Sequence, residues 1–224
     1  VLDYVAAQGG PRGNDFKDGQ VKFNKMRRGE QPAMNYPSPD PHWPDLKLSD
    51  LHRTIQWYKQ HADELGIDPK RIIAGGGSAG GHICLLATTN PELNDPNDNR
   101  IHDTAVAAYL LFNPALGMAD AKDNEVDFLQ HLNHDFPPAI VFFGSKDDKW
   151  LKGWNSAYTK IQSLDIRSVE FWIAEGQEHS FFNKQPWQDM TIRASDEFLK
   201  SLGLIHGEPT LALPQTGEKL TKNL

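Results

Sequence analysis

At 224 residues, with 38% hydrophobic and 24% charged positions, the chain is long enough to bury one α/β-sized core, and no linker divides it. A formal charge of −7 without a Lys/Arg-rich stripe argues against a nucleic-acid partner, and the densest basic run, Lys25 to Arg28, reads as a solvated face. No apolar run has the length of a membrane span, and no charged stretch leading into an apolar one marks a signal peptide. The expectation is a soluble protein whose compartment is open, cytoplasmic or secreted after processing, and whose oligomeric state is unknown.

The amino-terminal part, residues 1–45, is expected to be irregular or incomplete. In one reading, Val1 to Ala7 is the tail of a helix and Gln20 to Asn24 the strand after it. In the other, Val1 to Ala7 is itself a strand and Gln8-Gly-Gly10 a glycine loop. That leaves Pro11 to Gly19 to hold a crossover helix, which is too short, so the first reading is preferred. Arg12 to Asp45, rich in Gly, Pro and charge, reads as solvated connections, with a loop or cap over a site as the alternative.

Beyond it the periodicity is clear. Leu48, Leu51, Ile55, Tyr58, Ala62 and Leu65 step by three and four, which predicts a helix with one apolar stripe, closed by Gly66 and stopped by Pro69. Arg71 to Ala74 reads as a strand. It runs into Gly75-Gly-Gly-Ser-Ala-Gly-Gly-His82, and then into an apolar helix with Ile83, Leu85, Leu86 and the lone Cys84, a small core residue that excludes an intrachain disulfide. Gly76-Gly77-Ser78-Ala79-Gly80 satisfies G-x-S-x-G between strand and helix, the context of a nucleophile elbow. So sharp a turn needs near-absent side chains and holds Ser78 Oγ at a helix N-terminus, where amides favour negative charge. The plainer reading is a glycine turn closing a βα unit, or a phosphate cradle.

Asp95 to Asn99 resembles a calcium loop, but Arg100 stands where glycine is required, so a polar loop is expected. Ala105 to Ala115 reads as a buried strand. His131 and His134 could share a helical face as metal ligands, yet no third ligand is evident, and no metal is expected. Ala139 to Phe143 is a buried parallel strand whose following loop carries Asp147 and Asp148. An amphipathic helix from Leu151 to Leu164, a strand from Ser168 to Ala174, a loop presenting His179, and a helix from Trp187 to Leu202 complete the alternation. Residues 1–205 are therefore expected to form one domain with a mostly parallel sheet flanked by helices, and 206–224 an unpatterned tail. Ser78, Asp147 and His179 each follow the carboxyl end of a strand, where functional groups gather in parallel sheets.

The order Ser, Asp, His, with Gly66 to His82, Leu111-Phe-Asn-Pro114, Pro137 to Asp147 and Gly176 to Phe182, resembles the α/β-hydrolase superfamily. Within it the chain is similar to the esterase/lipase group with hormone-sensitive-lipase-like and acetyl- or feruloyl-esterase-like enzymes, over roughly residues 46–205. The resemblance implies an α/β-hydrolase fold and a serine carboxylic-ester hydrolase for small esters, acetyl or aromatic acyl and sugar-linked among them, without a cofactor. It implies a triad of Ser78, His179 and Asp147; a glycine three positions before the acid selects Asp147 over Asp148, with Glu175 a further alternative. Ala79 would give one oxyanion amide. The family draws others from an upstream His-Gly-Gly loop, a motif that this sequence lacks: the preferred reading implies that the first strands and the loop are missing and the fold is shortened at its N-terminus, and Gln8-Gly-Gly10 is the degenerate candidate in the other. Gly77 and Phe181 are expected at the substrate, although Phe181 and Phe182 fit the core beneath it as well. His82, one turn beyond Ser78, is expected to pack or bond to nearby loops. A non-catalytic binding protein or a peptidase of the same fold is the alternative.

Overall fold

The computed structural model describes residues 48–91 and 103–223. The expectations for Val1–Ala7, Gln8–Gly10, Arg12–Asp45, Gln20–Asn24, Lys25–Arg28 and the polar loop Asp95–Asn99 lie outside them.

The described chain opens with α1 (Leu48–Gln60) and the single turn α2 (Ala62–Leu65). Gly66 ends α2 at φ +64, and its amide returns to the last carbonyls, as a left-handed C-cap does. Ile55 and Ala62 of the expected stripe are buried, whereas Tyr58 and Leu65 are 40% and 42% exposed. A step of three places Tyr58 and Leu65 about 60° round the helix from Ile55 and Ala62, at the margin of the buried face.

Then follow β1 (Ile73–Gly77), α3 (Ala79–Thr89), β2 (Ala108–Phe112), a 3-10 turn at Met118–Lys122, and the short α4 (Phe128–His131). They lead to β3 (Ala139–Gly144), α5 (Asp148–Ser163), β4 (Val169–Ala174), a 3-10 turn at Phe181–Asn183, α6 (Trp187–Ser201) and β5 (Leu220–Lys222). The strands form one sheet in the order β1-β2-β3-β4-β5, parallel except for the β4–β5 pair.

Every residue of β3 is buried, and its alternation divides the core. Ala139, Val141 and Phe143 join one apolar cluster with Ile55, Cys84 to Ala87, Trp154 and Ile161. Ile140 and Phe142 join the other, with Trp187, Met190, Phe198 and Leu199. Helices α1, α3 and α5 thus cover one face and α6 the other, as a mostly parallel sheet requires. Full burial of each large side chain in these layers is worth about 1.5–3 kcal/mol.

One expectation is corrected. The tail is not wholly unpatterned: Leu220–Lys222 pairs antiparallel with Trp172–Ala174 along the edge of the sheet, where Lys222 meets Glu170 at 3.0 Å. Three edge residues, none of them buried, make no periodic signal. His131 and His134 do not share a helix: α4 ends at His131, whose Nε2 meets the Asn124 carbonyl at 2.8 Å. Among the described residues no cluster of His, Cys, Asp or Glu could hold a metal ion, and no helix is long and apolar enough to cross a membrane.

Candidate functional site

Strand β1 runs further than its β-branched start predicts. It pairs through its glycines with β2, from Ile73 opposite Ala108 to Gly77 opposite Phe112. Ser78 follows at φ +53, ψ −118, a conformation a non-glycine residue keeps only when its surroundings force it, at a cost of about 1–3 kcal/mol. The forcing contacts are backbone ones. The Ser78 amide donates to the Phe112 carbonyl at 2.8 Å, and the Ser78 carbonyl accepts from Ala115 at 2.9 Å. A Cβ on Gly76 would lie 2.6 Å from the carbonyl carbon of Gly80, so strand and helix backbones touch here. The glycines permit that contact, and the contact turns Ser78 out at the head of α3.

The other two residues come from the loops after β3 and β4. Those loops are tied to each other: Lys146 N donates to the Gln177 carbonyl at 2.8 Å, Gly176 N to Ser145 Oγ at 2.8 Å, and Ser145 Oγ to Glu175 at 3.1 Å. Asp147 stands at the N-cap of α5 without capping it. Its carboxylate turns inward instead and is 4% exposed; Oδ2 lies 2.7 Å from His179 Nδ1 and 2.8 Å from Asn113 Nδ2. His179 Nε2 lies 2.8 Å from Ser78 Oγ. A carboxylate only accepts, so Nδ1 carries a proton and Nε2 is left to accept from the hydroxyl.

Three residues far apart in sequence thus form one hydrogen-bonded line. Asp148 is exposed in the first turn of α5, and Glu175 is engaged with Ser145, so neither competes with Asp147 for the imidazole. The amide of Ala79 heads α3, where no preceding turn supplies an intrahelical acceptor.

The surroundings refine the remaining expectations. Phe181 is 2% exposed and packs edge-on against Trp187, which puts it in the core; the partly buried ring beside the elbow is Phe182. The space that a Gly77 side chain would fill is taken by that ring, 2.6 Å from where a Cβ would stand. His82 is fully buried and turned toward the loops, with Nε2 at 3.0 Å from the Val126 carbonyl and Nδ1 at 3.6 Å from Asp120. Cys84 is fully buried, its Sγ at 3.2 Å from the Gly75 carbonyl. Trp150 lies against His179, ring centroids 6.3 Å apart, and Lys149 Nζ stands 4.0 Å over the Trp150 ring. Partial burial there lowers the Lys149 ammonium's pKa, and the carboxylates of Asp120 and Asp147 oppose the shift.

Sequence reading missed Asn113. It lies within a quoted stretch, Leu111 to Pro114, but a lone asparagine before proline signals only a turn.

Comparison with known proteins agrees with this architecture. A family model described as BD-FAE matches residues 33–113. The Mycobacterium tuberculosis protein named "Probable carboxylic ester hydrolase LipM" is 48% identical over 146 residues, 51% of this chain and 33% of that protein. "Esterase LipQ" from the same organism is 32% identical over 206 residues, 78% of this chain and 48% of its own length. The chain therefore spans between a third and a half of these curated relatives. Among solved structures, the apo form of Thermogutta terrifontis esterase 2 superposes with a TM-score of 0.65 at 27% identity, covering 72% of this chain and 66% of that one. Its butyrate-bound form gives 0.65 at 28% identity, covering 72% and 67%. With its sheet order, its elbow and these relatives, the chain has the α/β-hydrolase fold and is similar to the esterase/lipase group.

Proposed function

We propose that this chain carries the catalytic centre of a serine carboxylic-ester hydrolase acting on small esters. The observation that carries the reading is the line Ser78 Oγ–His179 Nε2, His179 Nδ1–Asp147 Oδ2, at 2.8 and 2.7 Å. In this reading His179 takes the Ser78 proton as Oγ attacks the ester carbonyl. The tetrahedral oxyanion forms near the Ala79 amide. His179 then gives its proton to the departing alcohol and leaves an acyl-serine. Water, deprotonated by the same imidazole, adds to the acyl carbon; the carboxylic acid leaves, and the proton returns to Ser78. Asp147 fixes the tautomer and offsets the imidazolium charge. A single oxyanion donor is worth on the order of 100- to 1000-fold in rate, which is the weight placed on Ala79.

Support for a short acyl group comes from the neighbour captured with propionate and with butyrate; the same esterase was also captured phosphorylated by paraoxon. Acetyl and other short acyl esters are accordingly the first candidates, and aromatic or sugar-linked esters the extension. The contacts expected at Gly77 and Phe181 become indirect in this reading: the Phe182 ring lies against Gly77, and Phe181 is in the core.

Turnover of p-nitrophenyl acetate and butyrate, measured for the native chain and for Ser78→Ala, tests the proposal. The variant is expected to lose on the order of 10⁴- to 10⁶-fold in kcat. A fluorophosphonate probe should label the native chain and not the variant. Comparable turnover in both would remove Ser78 from the mechanism, and labelling of neither would favour a non-catalytic binding role.

A further inference from the structure

The turn Phe112-Asn113-Pro114-Ala115, beyond the carboxyl end of β2, reaches two of the three site residues. Its ends hold the Ser78 backbone on both sides, through the Phe112 carbonyl and the Ala115 amide. Between them Asn113 takes φ +47, and its fully buried side chain sends Nδ2 to Asp147 Oδ2 at 2.8 Å, the same oxygen that faces His179.

The rest of the amide shows what sets its orientation. Among the described residues, the buried side-chain polar atoms without a hydrogen-bond partner are Asn113 Oδ1 and Trp154 Nε1. A buried acceptor left alone costs about 1–3 kcal/mol. Turning the amide over would set Oδ1 against the Asp147 carboxylate, two acceptors in contact, which is worse. The demand of Asp147 for a donor therefore dictates the amide's direction, and the orphaned oxygen is its consequence. A left-handed backbone also favours asparagine. Glycine would satisfy that need equally, and it does not account for the buried amide.

We propose that Asn113 is a positioning residue: it pins Asp147 Oδ2 in line with His179 Nδ1, and its turn couples that carboxylate to the backbone of Ser78. The inference rests on the Ser78–His179–Asp147 reading. Since Asp147 makes no capping bond to α5, the Asn113 amide is the neighbour besides His179 that fixes its torsion.

The test is p-nitrophenyl butyrate hydrolysis between about pH 5.5 and 8.5 by the native chain, Asn113→Gly and Asn113→Asp, with folding checked by thermal melts. Asn113→Gly keeps the positive φ and removes the donor. Its kcat is expected to fall on the order of 10- to 100-fold, as for loss of a hydrogen bond to a charged group, with KM changing by less than about two-fold. Asn113→Asp keeps shape and turn tolerance but opposes two carboxyl groups, which then share a proton. While that proton is present the variant donates as the amide did, so its kcat relative to native falls as pH rises and the proton is lost.

A role confined to the turn would move neither quantity. A Gly variant with kcat within about two-fold of native overturns the inference, and so does an Asp variant that tracks native turnover across the range. Ser78→Ala run beside them separates the two levels. If it keeps full turnover, the underlying reading fails and the inference with it. If it is silent while the Asn113 variants are native-like, the positioning role alone fails.

Discussion

The two halves of the candidate site are held in place by different physics. Ser78 is fixed by backbone: a crowded strand-to-helix turn, two main-chain hydrogen bonds and a φ of +53 that the glycines around it make attainable. Asp147 and His179 are fixed by side chains, through the Asn113 amide, the Ser145 hydroxyl and the tie between the loops after β3 and β4. Steric fixation fails abruptly when volume is added. Hydrogen-bonded fixation fails in steps, one donor at a time.

The sharpest way to break this contrast is chemical. Asp147→Asn conserves shape and should leave the melting temperature little changed, while kcat falls on the order of 10⁴-fold because the imidazole loses its fixed tautomer. Steady-state kinetics beside a thermal melt checks both halves of that statement. Gly76→Ala should act the other way round. Its Cβ, 2.6 Å from the Gly80 carbonyl carbon, has backbone on the far side, so a stability loss of about 1–3 kcal/mol is expected together with lost turnover. Denaturant unfolding measures the first, and a native-like midpoint would contradict steric fixation of the elbow. Smallest is Ser145→Ala, which removes the acceptor of Gly176 N and the contact with Glu175. About 1 kcal/mol of stability and a modest fall in kcat are expected, read by the same two assays.

The sequence makes one of these halves much easier to read than the other. Strands β2 and β3 stand out because burial leaves continuous apolar runs, β4 because its buried residues alternate with less buried ones, and α5 and α6 because one face alone is apolar. The elbow is legible because its glycines have a steric cause that nothing but backbone contact supplies. Asn113 is not, since its function depends on a carboxylate 34 positions away, and neither composition nor period encodes that meeting. Pairing with β2 carries β1 through Gly75, Gly76 and Gly77, residues whose own propensity opposes a strand. Tyr58 and Leu65 mislead for the opposite reason: their spacing is helical, but the buried face is narrower than the stripe and leaves both at its margin. In Phe181 and Phe182 a doublet splits between the core and the elbow, a choice that adjacent identical residues cannot disclose.

The antiparallel strand at Leu220–Lys222 has a consequence for how the molecule meets its own copies. A hydrophobic border such as Trp172-Ile173-Ala174 offers a row of main-chain donors and acceptors to any passing polypeptide, the usual invitation to intermolecular stacking. Here the invitation is answered from within the same chain: Leu220 to Lys222 pair along the border, the Asn223 amide continues the seam to the Phe171 carbonyl, and the charge of Lys222 discourages a further layer. Resistance to stacking at that border thus depends on residues 220–223, and a change that removed their pairing would reopen it.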